Sequence, residues 1–204
     1  MKEQIDLLKY ERKYNALGFD LIAGMDEAGR GPLAGPVTVA ACIMNLGDVI
    51  EGVNDSKQLT PKKRDYFFDK IKDSAFGYEI VDVSNERIDE INILNATKEG
   101  MKTAIEKLLP VPQMLLVDAV KEDFGIPYEA IIHGDALSYS IAAASVLAKV
   151  HRDRLMEEYA LLYPEYGFEK HKGYGTKQHI EALKKYGPCP VHRKTFIKNF
   201  FCLR

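Results

Sequence analysis

The sequence of 204 residues lacks tryptophan and has three cysteines, and no apolar run approaches the roughly 20 residues that cross a bilayer. Cys42, Cys189 and Cys202 are odd in number and far apart, which excludes the disulfide framework of a small secreted protein. The N-terminal segment 1–20 is charged and contains no apolar stretch typical of a secretory leader. We therefore expect a reduced, cytoplasmic protein without a membrane partner.

A strong net charge is also missing, since 28 Lys or Arg face 30 Asp or Glu for a formal charge of −2. The distribution is uneven, because the segment 170–204 contains nine Lys or Arg and one acid, Glu181. This basic C-terminal segment either meets the phosphates of a nucleic acid or forms a solvated surface, and charge alone favours neither. The length and the 46% hydrophobic content predict one domain, residues 1–204, with a sizeable core.

Apolar periodicity and turn residues predict an α/β fold, in which helices flank a mixed β-sheet and a small helical extension follows at the C-terminus. The first two strands are joined by a glycine-rich turn, which indicates a hairpin, whereas helices separate the later strands. The expected strands cover residues 21–26, 37–44, 78–83, 114–118 and 130–133. The expected helices cover residues 61–72 after Thr60, a segment from Ser84 to about residue 109, residues 138–162, and a segment from Thr176 to Gly187.

Four carboxylates lie at or just after predicted strand ends, namely Asp26, Glu27, Asp118 and Asp135. A carboxylate at the end of a buried strand is poorly solvated and repels its neighbours, so a group of them requires a cation. Mg²⁺ and Mn²⁺ prefer oxygen ligands, and two such ions can promote phosphodiester hydrolysis. For any one of these acids, position alone favours a helix cap or a solvated side chain.

The adjacency of Asp26 and Glu27 restricts how they can act together, because successive side chains of a strand point to opposite faces. They can share one metal site if the strand ends or bulges at this point, with the longer glutamate reaching round. The glycines that follow favour such a departure from regular strand geometry.

Those glycines match two different patterns. Residues 29–34 (GRGPLA) satisfy the dinucleotide-binding pattern, but such a site needs a helix to begin there. Pro32, Pro36 and the β-branched residues after them predict a strand instead. The favoured use of Gly29 and Gly31 is therefore a backbone whose N–H groups approach a sugar or a phosphate closely.

The same residues closely resemble the signature of ribonuclease HII, the type 2 ribonuclease H family. The resemblance extends in the family's order over about residues 20–196, and its first block is highly specific. The matching blocks are 24–37 (GMDEAGRGPLAGPV), 55–59 (DSKQL), 116–118 (LVD), 134–135 (GD), 141–145 (IAAAS), 148–150 (AKV), 152–153 (RD), 171–176 (HKGYGT) and 192–196 (HRKTF).

This resemblance implies a ribonuclease H-like fold and a catalytic, metal-binding set of four acids, Asp26, Glu27, Asp118 and Asp135. It implies hydrolysis, by water activated by Mn²⁺ or Mg²⁺, of the RNA strand of RNA–DNA hybrids. The same enzyme would cut 5′ to ribonucleotides embedded in duplex DNA and leave a 5′-phosphate and a 3′-hydroxyl. These nucleic acids are the expected partners, and the chain is expected to act as a monomer.

For recognition, the resemblance implies that the backbone of Gly29, Arg30 and Gly31 reads the 2′-hydroxyl, the group that distinguishes RNA from DNA. It implies that Tyr174 packs on the same nucleotide, although a tyrosine between two glycines is also an ordinary turn residue. Phosphate contacts are expected from polar residues of the other blocks, with ordinary surface charge as the alternative. These residues are Ser56, Lys57, Arg193 and Lys194, to which Lys149 and Arg152 are added as residues able to face the nucleic acid.

Three other interpretations stay open. Ribonuclease HIII resembles this pattern, but it usually carries an N-terminal domain and a glutamate as fourth acid, whereas 25 residues precede Asp26 and the fourth acid here is Asp135. A metal-free ribonuclease would need paired histidines, and the five histidines show no pairing in the sequence. A non-catalytic nucleic-acid-binding module with zinc would use the scattered set His179, Cys189, His192 and Cys202.

The C-terminal residues Ile197, Phe200 and Phe201 loosely resemble the apolar part of a sliding-clamp binding motif. Lys194 stands where such a motif has glutamine. We therefore expect these apolar residues to pack on the domain rather than to bind a clamp.

Overall fold

The computed structural model describes residues 6–54 and 56–200. Its strands are β1 (Ile22–Ala28), β2 (Val37–Met44), β3 (Ala75–Val83), β4 (Met114–Asp118) and β5 (Tyr128–Ile131). They form one sheet in the order β3-β2-β1-β4-β5. The hairpin of β1 and β2 and the pairing of β2 with β3 are antiparallel, whereas β4 is parallel to β1 and β5 is parallel to β4. The predicted mixed sheet is therefore confirmed.

The described part of the chain contains seven helices. They are α1 (Lys9–Asn15), α2 (Pro61–Ser74), α3 (Asn85–Lys107), α4 (Tyr139–Leu162), α5 (Phe168–His171), α6 (Lys177–Tyr186) and α7 (Lys194–Ile197). The side chains of Thr60, Ser84, Ser138 and Thr176 each accept a hydrogen bond from the backbone N–H three residues later, which stabilises the first turn. None of these described helices is long and apolar enough to span a membrane.

Different helices cover the two faces of the sheet. Ala40, Cys42 and Met44 of β2 pack in the cluster formed with α2 and α4. The intervening residues Ala41 and Ile43 pack on the opposite face in the cluster formed with α3. This alternation follows from the two-residue period of a strand. Because β2 is buried on both faces, its sequence is an unbroken apolar run.

Helix α4 lies directly against β1, because small residues face each other there. A Cβ built on Gly24 would lie 2.0 Å from the backbone carbonyl carbon of Ser140. The run Ala142, Ala143 and Ala144 is fully buried in the same layer. The close approach places the first turns of α4 beside the strand that carries the first two acids.

The structure differs from the prediction in several elements, among them β3, which begins at Ala75 rather than at residue 78. Strand β1 continues to Ala28, because Ala28 still pairs with Thr38 of β2. Strand β5 is Tyr128–Ile131 rather than 130–133, since His133 adopts a left-handed φ of 58° and begins a 3-10 turn. Helix α3 is interrupted at Asn92, which has a φ of 66°.

Helices α5, α6 and α7 form the small C-terminal extension. Its apolar residues, among them Phe168, Leu183 and Ile197, pack with Leu33 from the connection between β1 and β2. Two backbone hydrogen bonds of 2.8 Å join the same regions, from the N–H of Gly35 to the carbonyl of residue 191 and from the N–H of residue 193 to the carbonyl of Leu33. The extension thereby holds the glycine-rich connection in place.

Candidate metal centre and glycine loop

Three carboxylates meet at one edge of the sheet. Asp26 lies in β1, Asp118 is the last residue of β4, and Asp135 lies in the 3-10 turn Gly134–Ala136 that follows β5. One oxygen from each lies within 4.8 Å of the others. Because β1 and β4 run parallel with Met25 opposite residue 117, Asp26 and Asp118 leave the sheet at equivalent positions. The structure therefore brings three of the four predicted acids together.

Burial and mutual repulsion make these acids hard to ionise. Burial raises the pKa of Asp26 well above its ordinary value, and the negative charges of Glu27 and Asp118 raise it further. Burial also raises the pKa of Asp118. The N–H of Gly134, which donates to Asp118 Oδ1 over 2.8 Å, opposes this rise. A divalent cation among these oxygens would relieve both the desolvation and the repulsion.

Glu27 lies outside this group of three. The strand continues regularly through it, with Glu27 opposite Val39, so the expectation that β1 ends or bulges here is wrong. Its Oε1 accepts from Arg30 Nη1 over 3.3 Å, whereas Oε2 is buried without a hydrogen-bond partner among the described residues. Burial raises the pKa of Glu27, Arg30 opposes this rise, and the charge of Asp118 adds to it. Glu27 therefore lies close enough to Asp26 and Asp118 to interact with them electrostatically, although it does not belong to the group of three.

Ser56 and Lys57 support the acids from a neighbouring turn. The hydroxyl of Ser145 in α4 lowers the pKa of Asp26, against the effect of burial, and lies 2.8 Å from the hydroxyl of Ser56. Ser56 is buried and its hydroxyl contacts Ser145, whereas the sequence predicted a contact with a substrate phosphate at the surface. The side chain of Lys57 is 74% exposed, and its Nζ lies 2.9 Å from Oδ2 of buried Asp135. Lys57 therefore places a positive charge at the entrance to the acidic group.

The connection between β1 and β2, residues 29–36, is called the glycine loop below. Gly29 has a φ of 93°, and a Cβ there would lie 2.0 Å from Arg152 Nε, so only glycine fits. A Cβ on Gly31 would lie 3.7 Å from the ring of Tyr174, which is 45% exposed. The loop, the exposed ring and the side chain of Arg30, which reaches Glu27, thus form one continuous surface.

Arg152 and Arg193 do not face a ligand. Both side chains are buried, and their guanidinium groups donate to backbone carbonyls of the glycine loop. The expectation that Arg193 is a surface phosphate contact is therefore wrong, as is the corresponding one for Arg152. Sequence pattern does not distinguish a buried arginine from an exposed one, because the partners of a buried guanidinium are remote in sequence.

Lys194 and the apolar C-terminal residues have separate environments. Lys194 is exposed, and its backbone N–H donates to Asp89 over 2.7 Å. Ile197 is buried in the C-terminal extension and Phe200 is 36% exposed, while residue 201 lies outside the described residues. The expected packing of Ile197 on the domain is confirmed.

Three histidines pair in the structure although their sequence positions show no pairing. His171 stacks on His179 with ring centroids 4.5 Å apart, and the Nε2 atoms of His179 and His192 are 3.0 Å apart. His192 Nδ1 accepts from the N–H of Cys189 over 2.9 Å, so its Nε2 donates to His179. His179 Nδ1 in turn donates to the carbonyl of Tyr174 over 2.9 Å. This buried chain of hydrogen bonds is suited to holding the loop of Tyr174 rather than to catalysis.

The same geometry argues against a zinc site. Cys189 contacts His192 at Nδ1, whereas His179 contacts the same ring at Nε2, so the two residues lie at opposite edges of one imidazole. The fourth proposed ligand, Cys202, lies outside the described residues. Within the described ranges, the group able to hold a metal ion is the acidic one.

The histidine chain is expected to make the protein less stable as the pH falls from about 6.5 toward 4. Burial lowers the pKa of His179 and of His192 to about 4, so both rings are neutral when folded. In the unfolded chain the two rings bind protons as the pH falls below about 6.5, and this favours unfolding. The contribution of the neutral rings to the stability of the folded protein is therefore complete above that pH and decreases below it. His179→Asn keeps a donor for the carbonyl of Tyr174 but removes one titrating ring. We expect its melting temperature to fall less steeply over this range than that of the unmodified protein, and equal slopes would contradict the assignment.

Comparison with known proteins places this arrangement in a family. The family model described as Ribonuclease HII matches residues 23–203. The chain belongs to the ribonuclease HII family.

Relatives in the ribonuclease HII family cover nearly the whole chain. Ribonuclease HII of Acetivibrio thermocellus is 54% identical over 201 residues, which are 98% of this chain and 78% of that protein. Ribonuclease HII of Caldicellulosiruptor saccharolyticus is 54% identical over 202 residues, 98% of both chains. The crystal structure of ribonuclease H2 from Pyrococcus horikoshii OT3 matches with a TM-score of 0.76 at 30% identity, covering 88% of this chain and 96% of that chain. The ribonuclease HII in a complex with PCNA from Archaeoglobus fulgidus matches with a TM-score of 0.75 at 26% identity, with the same coverage.

Membership of the ribonuclease HII family decides among the interpretations left open by the sequence. The matching model and the relatives at 54% identity are of type HII rather than HIII. A family of nucleases also argues against a purely binding module. Sequence reasoning missed the supporting roles of Ser145 and of the paired histidines. The available signal was that Ser145, His171 and His192 lie in the matching blocks, but a block does not show which way a side chain points, and His179 lies outside all of them.

Proposed function

We propose that this protein is a divalent-metal-dependent endonuclease that hydrolyses the RNA strand of RNA–DNA hybrids and cuts duplex DNA 5′ to an embedded ribonucleotide. The observation that carries this proposal is the group of Asp26, Asp118 and Asp135 within 4.8 Å of one another, on the strand edge that leads into the glycine loop. Membership of the ribonuclease HII family supports the same activity. The products would carry a 5′-phosphate and a 3′-hydroxyl.

The acids present fit Mn²⁺ or Mg²⁺. They offer only oxygen ligands, which these hard cations prefer over the nitrogen and sulfur ligands typical of zinc. Asp26, Asp118 and Asp135 would hold the cation. The positive charge of that cation would also stabilise the buried Oε2 of Glu27, which has no hydrogen-bond partner among the described residues. The chemistry such a cation supplies when bound is stabilisation of negative charge on the attacking and departing oxygens.

The residues around the acids would bind and orient the substrate. Lys57 at the entrance and exposed Lys194 would contact phosphates. The backbone of the glycine loop would read the 2′-hydroxyl, and Tyr174, whose ring lies beside Gly31, would pack on the same nucleotide. The hydroxyl of Ser145 would keep Asp26 in its orientation. Since the segment 170–204 is basic, we expect binding of the duplex to weaken steeply as salt is added.

The proposal is tested with an end-labelled DNA duplex that contains one ribonucleotide. We expect incision 5′ to that ribonucleotide with Mn²⁺ or Mg²⁺, no incision with EDTA, and no incision of the all-DNA duplex. Cleavage that persists in EDTA would contradict the metal mechanism. Folded protein that cuts neither this duplex nor a long RNA–DNA hybrid in either metal would contradict the proposed activity itself.

A further inference from the structure

The guanidinium group of Arg193 lies under the glycine loop and binds its backbone. It donates to the carbonyl oxygens of Gly29 over 2.6 Å, Arg30 over 3.0 Å, Gly35 over 2.9 Å and Pro36 over 2.9 Å. Arg193 is fully buried, so these four contacts satisfy its side chain without water. Two of the four accepting residues belong to the segment proposed to read the ribonucleotide.

Arg152 of α4 supports the other part of the loop. It donates to the carbonyl oxygens of Ala34, Pro36 and Lys172, each over 3.0 Å. The carbonyl of Pro36 accepts from both arginines, so the two guanidinium groups lie side by side. A bond to Lys172 also ties the loop to the turn that carries Tyr174.

Neither arginine forms an ion pair within residues 6–54 and 56–200. Burial, and then the neighbouring Arg152, lower the pKa of Arg193 to about 9, so it remains charged at neutral pH. Burial also lowers the pKa of Arg152. Backbone carbonyl dipoles therefore stabilise both charges in place of carboxylates. An arrangement that uses two buried cations to bind one short loop constrains the orientation of that loop strongly.

The bonds to Arg193 determine where the amides of the loop point. The peptide bonds after Gly29 and Arg30 are trans, and in a trans peptide the C=O and the following N–H point in opposite directions. Since the carbonyls of Gly29 and Arg30 point inward to Arg193, the N–H groups of Arg30 and Gly31 point away from it. Neither N–H forms a hydrogen bond within the described residues.

We infer that Arg193 is a positioning residue for ribonucleotide recognition, which draws the carbonyls of Gly29 and Arg30 inward and so presents the N–H groups of Arg30 and Gly31 to the 2′-oxygen of the substrate. This inference rests on the proposed function. Lysine cannot replace Arg193 in this role, because its single ammonium nitrogen does not reproduce the planar fork of three guanidinium nitrogens. The role differs from a phosphate contact, since Arg193 would never touch the nucleic acid.

The test measures binding without cleavage, in an Asp26→Asn background. Affinities for a duplex with one ribonucleotide and for the same all-DNA duplex are compared by fluorescence anisotropy, with Mg²⁺ and at several salt concentrations. We expect Arg193→Lys to reduce the preference for the ribonucleotide about tenfold, the equivalent of one lost hydrogen bond, and to change all-DNA affinity less than about twofold. Arg154→Lys is the matched control on α4, because Arg154 is exposed and pairs with Asp65 over 3.0 Å.

The possible outcomes separate the explanations. Arg193→Lys could instead weaken the binding of both duplexes equally and reduce the salt dependence of the affinity by the amount expected for about one phosphate contact. Arg193 would then bind phosphate, and the inference would be overturned. An unchanged preference would overturn it as well. If the Asp26→Asn background itself shows no preference for the ribonucleotide, the proposed recognition fails, and the inference that rests on it fails too.

A second measurement needs no change at Arg193, in case Arg193→Lys does not fold. The amide resonances of Arg30 and Gly31 are followed by NMR in ¹⁵N-labelled Asp26→Asn protein. We expect both to shift with the ribonucleotide duplex by clearly more than with the all-DNA duplex. Equal shifts, or none, would show that these amides do not read the 2′-oxygen.

Discussion

Replacing Asp26 by asparagine is expected to reduce cleavage by roughly 10³-fold or more and, in EDTA, to raise the melting temperature. Activity is lost because the neutral amide no longer holds a divalent cation beside Asp118 and Asp135. Stability rises because burial and the charges of Glu27 and Asp118 raise the pKa of Asp26 above its value in the unfolded chain. The contribution of Asp26 to stability is therefore present at low pH, where the carboxyl is protonated, and is lost as the pH rises through its pKa in the folded protein. Asparagine resembles the protonated carboxyl and stays neutral at every pH.

The two effects are measured by the incision assay and by thermal melting in EDTA and in excess Mg²⁺ or Mn²⁺. Added metal should raise the melting temperature of the unmodified protein by more than that of Asp26→Asn, because the cation relieves a repulsion that the variant lacks. Asp73→Asn makes the same chemical change at an exposed position of α2 and should alter neither property. Near-full activity of Asp26→Asn would remove Asp26 from the metal centre.

Gly24→Ala is expected to cause a large loss of stability. The new Cβ would lie 2.0 Å from the carbonyl carbon and 2.2 Å from the carbonyl oxygen of Ser140, which are backbone atoms that no side-chain rotation can move. Helix α4 would have to move away from β1, and overpacking of this kind costs about 3 kcal/mol or more. For a protein of this size, that corresponds to a fall in melting temperature of about 10 °C.

Gly47→Ala provides the control for this substitution. A Cβ on Gly47 would approach only the side-chain oxygen of Asn45, at 3.3 Å, and that side chain can rotate. We expect its unfolding free energy to change by less than about 0.5 kcal/mol. Similar melting temperatures for the two variants would show that α4 does not lie against β1 as described.

The elements of this fold were predictable because their signals are local. Thr60 and Ser84 were predicted to begin helices, and their side chains accept hydrogen bonds from amides in the first turn. The apolar run of β2 predicted a buried strand, and the structure buries it on both faces. The predicted end of β1 at Asp26 was wrong, because pairing with β2 through Ala28 outweighs the glycines that follow.

The acidic group was predictable only in part. That Asp118 closes an apolar strand is visible in the sequence, and the parallel pairing of β1 with β4 then places it beside Asp26. The side of the strand from which Glu27 projects depends on whether the strand continues, and that is a property of its pairing with β2. The sequence by itself therefore predicted that Asp26, Asp118 and Asp135 lie together, but not how Glu27 is placed.

The sequence by itself determined the order of strands and helices, the family and the acids at the strand ends, because period, capping and motif are read from neighbouring residues. The tertiary structure alone decided that Arg193 supports the glycine loop and that His179 and His192 hold the loop of Tyr174. Arg193 binds the carbonyl of Gly29 across 164 residues of chain. Every residue type has a backbone carbonyl, so the sequence does not indicate which carbonyl a buried arginine will bind. Only the folded structure shows which buried guanidinium group binds a given segment of backbone.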